Sequence, residues 1–127
     1  MIRIYGIGAK LDPIKAQLSD VINQCMVEAL AFPENKRAHR FFPMAAADYY
    51  YPEGRSDAYI VIEVNMMAGR SEGARKKLIH LLFERIEAQL GIAPADVEVM
   101  IFESPPCNFG FRGMTGDEAK LNYKVDV

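Results

Sequence analysis

The sequence predicts an α+β fold: four strands in one sheet, with two long amphipathic helices packed on one of its faces. Two observations carry this. Residues 1–44 and residues 59–103 each read as strand, helix, strand, with helix starts at Asp12 and Ser71 and helix ends before Pro33 and Pro94 in nearly the same register. The strand segments alternate apolar and polar residues, while each helix segment carries one apolar stripe. A β-α-β unit cannot bury both its sheet and its stripe alone, so two units are expected to merge. With 127 residues the chain is expected to form a single domain, residues 1–127.

The elements follow in order. IRIYGI at 2–7 alternates, Ile2 and Ile4 on one face and Arg3 and Tyr5 on the other. Asp12-Pro13 is a helix start, an N-cap oxygen followed by proline at the first helical position. Ile14, Leu18, Val21, Ile22, Cys25, Ala29 and Leu30 then recur at helical spacing. RAHRFFPM at 37–44 is the second strand, with Pro43 weakening it for a central place. Residues 45–58, with three tyrosines before Pro52-Glu53-Gly54, form a connection long enough to cover or bind something. YIVIEVNM at 59–66 is the strongest strand, with Ile60, Ile62 and Val64 on one face. Ser71 caps the second helix, Ala74, Leu78, Leu81, Leu82, Ile86 and Leu90 form its stripe, and Gly91 stops it. VEVMIFE at 97–103 is the fourth strand. A Gly- and Pro-rich stretch at 104–118 precedes LNYKVDV, whose alternation predicts an extra short C-terminal strand. Such a strand needs a partner edge, which another subunit can supply, so residues 104–127 read as an oligomerisation segment.

Composition excludes several classes. A formal charge of −2 lacks the basic excess of a general nucleic-acid binder. No apolar run approaches the ~20 residues of a membrane span. MIRIYGIGAK lacks the apolar core and cleavage site of a signal peptide and reads as a retained strand. Cys25 on a helix and Cys107 in a loop suggest no disulfide framework, so a cytoplasmic setting is expected. His39 and His80 stand far apart without ligand spacing, and no metal is expected. Gly6-Ile7-Gly8 lacks the third glycine of a dinucleotide fingerprint. Across the sheet, Arg3, Tyr5, Glu63, Asn65 and Glu98 mix with Val61, Met100 and Phe102 on the face away from the helices. That mixture suits packing against other subunits around a wet centre.

The string GRSEGARKKLIHLLFERIEAQLGIAPADVEVMIFESPPCNFGF resembles the decarboxylase-like branch of the tautomerase superfamily. The shared features are a turn arginine, the second helix, an L-G-I-x-P-x-D-V corner, and a strand ending in Glu before an aromatic loop. The ending GFRGMTGDEAKLNYKVDV is similar to an uncharacterised bacterial subgroup. The resemblance is specific over 59–112 and weaker over 1–58. It implies a β-α-β-β-α-β protomer of macrophage migration inhibitory factor type, with a mixed sheet, assembled as a homotrimer with the sheets inward. It implies keto–enol proton transfer without cofactor, using an amino-terminal proline as the base and arginines to hold a substrate carboxylate.

The chain departs from that pattern at its start. Position 2 is Ile2, a bulky residue that normally blocks methionine removal, and Met1 falls where the catalytic proline would stand. A primary α-amine, with pKa about 7.7–8.0, can still act as a base. Lys36 occupies the place of the branch's acid, Arg70 matches one of its paired arginines with Ala68 at the other, and Phe109 stands for its tryptophan.

Met1 and Arg70 are therefore the candidate catalytic residues, against the alternatives of a plain strand start and a surface turn arginine. Arg70 could grip a carboxylate bidentately. Lys36 and Arg37 could add anion binding, and Lys36 could lower the amine pKa, unless both are simply solvated. His39 reads as a general base or as a hydrogen-bonded sheet residue, and Arg3 as the cross-strand partner of Glu63. Phe109 and Arg112 could close over a pocket or form an oligomer contact. Two functions follow: a tautomerase or isomerase acting on a small keto or enol carboxylate, or a non-catalytic trimer binding a small anion or a protein partner.

Overall fold

Alternation sets the sheet. In the computed structural model, which describes residues 1–119 and 124–127, β1 (Ile2–Ile7), β2 (His39–Met44), β3 (Ile60–Met67) and β4 (Val97–Ser104) form one mixed sheet in the order β2-β1-β3-β4. β1 and β2 are parallel, β3 and β4 are parallel, and the two pairs meet where β1 runs antiparallel to β3. Pro43 falls on the edge strand β2, where a missing N–H is tolerated.

The first helix differs from its expected start. A short turn, α1 (Gly8–Leu11), leaves β1 directly and passes through a 3-10 turn at Asp12–Ile14 into α2 (Lys15–Leu30). Asp12 caps nothing through its side chain and instead pairs with Lys15 at 2.9 Å. Pro13 has no N–H to give, so the regular helix re-forms only after it. The second helix follows its signals. Ser71 Oγ accepts from the backbone N–H of Ala74 at 3.1 Å, α3 runs Glu72–Leu90, and Gly91 ends it at a φ of 69°.

The core lies between the sheet and these helices. Ile4, Ile22, Ile62, Leu78, Leu82 and Ile86 are buried there, with Leu18 and Cys25 from α2. Arg85 of α3 spans to Glu28 of α2 at 2.8 Å. The opposite face of the sheet carries exposed Phe42, Met100 and Phe102, with Tyr5 stacked on Phe42 at 4.8 Å. Arg3 and Glu63 are register partners on β1 and β3. The connection after β2 is tied down: Tyr49 is buried and its hydroxyl donates to the Tyr59 carbonyl at 3.1 Å.

Residues 104–118 form more than a loop. A 3-10 turn (Pro106–Asn108) leads into a small hairpin of β5 (Gly110–Phe111) and β6 (Met114–Thr115). Arg112 and Gly113 at its tip have φ of 53° and 77°, as a type I′ turn requires at both central positions. The C-terminal strand expected over 121–127 is not formed in its described part. Residues 120–123 lie outside the described residues, and 124–127 are irregular. They lie against the β3–α3 turn, where the Val127 carbonyl accepts from Ser71 Oγ at 3.0 Å. A Cβ on Gly69 would stand 3.0 Å from a Val125 methyl group, which would have to shift, and the φ of 140° there favours glycine in any case.

Candidate active site

The end of β1 fixes the amino terminus. The Met1 amine donates to the Asn65 carbonyl at 2.9 Å, and the Asn65 N–H donates back to the Met1 carbonyl at 2.9 Å. These bonds extend the β1–β3 ladder and fix Met1, which lines a cavity of about 370 Å³. Arg70 enters from the β3–α3 turn. It is only 5% exposed, and its guanidinium donates to the Met67 carbonyl at 3.2 Å. Lys36 follows the turn after α2, where its N–H donates to the Pro33 carbonyl at 3.1 Å. Phe109 and Arg112 come from the hairpin, with the Arg112 guanidinium 5.1 Å from the Phe111 ring centroid.

Five residues singled out in the sequence thus line one cavity: Met1, Lys36, Arg70, Phe109 and Arg112. Two do not line it. Arg37 pairs with Asp20 of α2 at 2.6 Å and also reaches Ser19 at 3.3 Å. His39 lies in β2 with Nδ1 2.8 Å from Ser19 Oγ. The remaining walls are Met26, Phe32, Met66, Met67 and Phe111, none of them singled out in the sequence, together with Asn65. Asn65 Nδ2 is buried and has no hydrogen-bond partner among the described residues. An asparagine inside a strand rich in Ile and Val was the available signal, since strands disfavour it. Among the described residues, no group of three His, Cys, Asp or Glu side chains could hold a metal ion.

The electrostatics favour a neutral amine. Burial lowers the pKa of the Met1 amine below 8.0, and Arg40, Arg3 and then Arg70 lower it further. The lowering expected from Lys36 is supplied by these arginines instead, two of which stand on β1 and β2. Burial also depresses His39 from 6.5 to about 4, with Arg37 and the amino terminus adding to the effect. Between those values the unfolded chain binds a proton that the folded chain refuses, so stability falls as pH drops from 6.5 toward 4. Replacing His39 with Asn is expected to remove on the order of 2 kcal/mol of that acid-induced loss once solvent screening is allowed for. Urea melts of both proteins at pH 7 and pH 4.5 measure it.

Residues 36–112, more than half of the chain, match the family model described as tautomerase enzyme. The chain belongs to that family. The match begins at Lys36, well before residues 59–112 where the sequence resemblance was specific. Among solved structures, malonate semialdehyde decarboxylase is 24% identical, with a TM-score of 0.80 over 90% of this chain and 92% of that one. A fused 4-OT solved as an asymmetric trimer is 26% identical, with a TM-score of 0.80 over 91% and 95%. A member of the cis-3-chloroacrylic acid dehalogenase family is 17% identical, with a TM-score of 0.79 over 90% and 81%.

Proposed function

We propose that this protein catalyses keto–enol proton transfer on a 2-oxo or enol carboxylate, with the Met1 amine as the base. The observation that carries the reading is that Met1 and buried Arg70 line one cavity. Arg70 holds the substrate carboxylate with its planar fork. The neutral amine takes a proton from C3, the C3–H electron pair moves into a C2–C3 double bond, and the carbonyl oxygen takes up the charge. Lys36 stabilises that oxygen. The ammonium then returns the proton to carbon or yields it to oxygen, which gives ketone or enol. These steps call on the chain's own groups and need no cofactor or metal. Met1, standing where the resemblance has its catalytic proline, makes the base a primary amine.

The protomer is proposed to associate as a trimer through the sheet face that carries Phe42, Met100 and Phe102. The exposure of those side chains supports this, as does the trimeric state of the fused 4-OT relative. A cytoplasmic setting fits the two free cysteines.

Incorporation of solvent deuterium at C3 of 2-oxobutanoate, followed by NMR, tests the reaction. The amine must be unprotonated to act. The rate is therefore expected to rise with pH along a single limb whose midpoint lies below the ordinary 8.0. Exchange at the buffer rate throughout, with the acid still bound, would replace this reading by that of a non-catalytic anion binder.

A further inference from the structure

Building on the proton-transfer reading, we infer that the Asn65 carboxamide is a further catalytic group: it donates a hydrogen bond to the C2 oxygen of the substrate as that oxygen becomes negative. β3 holds this asparagine against its own preference. Asn65 stands between Val64 and Met66 in the strand IVIEVNMM, and strands are depleted in asparagine. Its side-chain nitrogen Nδ2 is buried and has no hydrogen-bond partner among the described residues. A buried donor left without an acceptor costs stability, and native folds keep few of them. A residue that opposes its strand twice, by propensity and by an unpaired donor, belongs to the class of local violations that gather at functional sites.

The backbone sets the same residue beside the amine. Asn65 and Met1 exchange two backbone hydrogen bonds of 2.9 Å, one step beyond the Ile2–Val64 pair. Residues opposed in this way have Cβ atoms ~5 Å apart. Both line the cavity of about 370 Å³, together with Lys36 and Arg70. Among its described lining residues, Asn65 is the one uncharged side chain that can donate a conventional hydrogen bond. Taking the proton from C3 leaves charge on the C2 oxygen, which has lone pairs for more than one donor. Lys36 meets it as a cation. The Asn65 carboxamide turns about a soft Cβ–Cγ torsion, so its N–H can meet an oxygen in the space the residue lines. A donor with no protein acceptor is also one that no protein group draws away from the substrate. No proton leaves the carboxamide; every bond change is that of the transfer between C3 and the amine. The hydrogen bond is stronger to an oxyanion than to a neutral ketone, so it acts on the barrier more than on binding.

Asn65→Val removes the donor and gives β3 a residue that strands favour. For C3 exchange on 2-oxobutanoate, kcat is expected to fall ~10²–10³-fold with KM within about threefold of the parent. The melting temperature is expected to stay at or above the parent's. Asn65→Ala carries the same kinetic expectation and replaces the valine variant if that one does not fold. Calorimetry supplies a readout that needs no turnover. Oxalate presents a charged oxygen where the enolate has its own, and propanoate has none there. Asn65→Val is expected to weaken oxalate at least about tenfold and to leave propanoate within about twofold. A variant that keeps the parent's kcat, or one that loses propanoate binding and melting temperature together, would overturn the assignment and leave the proton-transfer reading in place. A parent without C3 exchange, whose Asn65→Val variant still loses oxalate selectively, would uphold the donor and refute the proton transfer. A parent without exchange and with no selective loss of oxalate would overturn both.

Discussion

Replacing Arg70 with alanine is expected to lower kcat/KM for C3 exchange by ~10²–10³-fold, the size of effect seen when one partner of a buried, hydrogen-bonded charge pair is removed. Arg70 is the most deeply buried cation bordering the cavity, held by the Met67 carbonyl at 3.2 Å. Its loss removes the seat for the carboxylate and also leaves that carbonyl short of a donor. The second effect destabilises the fold by about 1–3 kcal/mol, so melting temperature is measured alongside kinetics. Arg70→Lys separates the two consequences. It restores charge but not the planar fork, and is expected to recover only part of the rate. An Arg70→Ala protein that is folded, and whose kcat/KM stays within about twofold of the parent, would remove Arg70 from the site.

The fold was legible wherever local chemistry and tertiary need agreed. β3 alternates without interruption, and Ser71 and Gly91 bracket α3 with a cap oxygen and a left-handed stop. The onset of α1 was not legible, because Gly8–Leu11 has no capping side chain and Asp12-Pro13 offers a stronger but misleading start signal. The hairpin at 110–115 was hidden because its strands are two residues each, too short to show a period. Its sign was the Arg112-Gly113 pair, with only the glycine suited by itself to positive φ.

The site divides in the same manner. Met1, Lys36, Arg70 and Phe109 were named through family resemblance and Arg112 through its Gly-rich loop, since nothing in their spacing brings residues 1, 36, 70 and 109 together. The thioether wall was concealed because Met26, Met66 and Met67 carry no sign that sets them apart from core residues, and a cavity at the end of a core has the same composition as the core itself. Arg37 and His39 are drawn away by Asp20 and Ser19, neighbours on α2 that only the packing of helix against strand reveals.

Blocking the Met1 amine carries the other large expected effect. The nitrogen is fixed by the Asn65 carbonyl at 2.9 Å, and burial and nearby arginines keep it more readily deprotonated than an ordinary terminus. Both properties favour a base, and the same low pKa makes it react ahead of lysines with a mild acetylating reagent near pH 6.5. An acetylated nitrogen has no basic lone pair, so exchange depends on whether that one atom carries the proton. The direct measurement is C3 deuterium exchange on protein whose intact mass shows a free Met1, before and after modification at that single amine. A fall to the buffer rate is expected, with 2-oxobutanoate still raising the melting temperature. Undiminished exchange on the acetylated protein, or full exchange by a protein whose mass shows no free Met1, would contradict it.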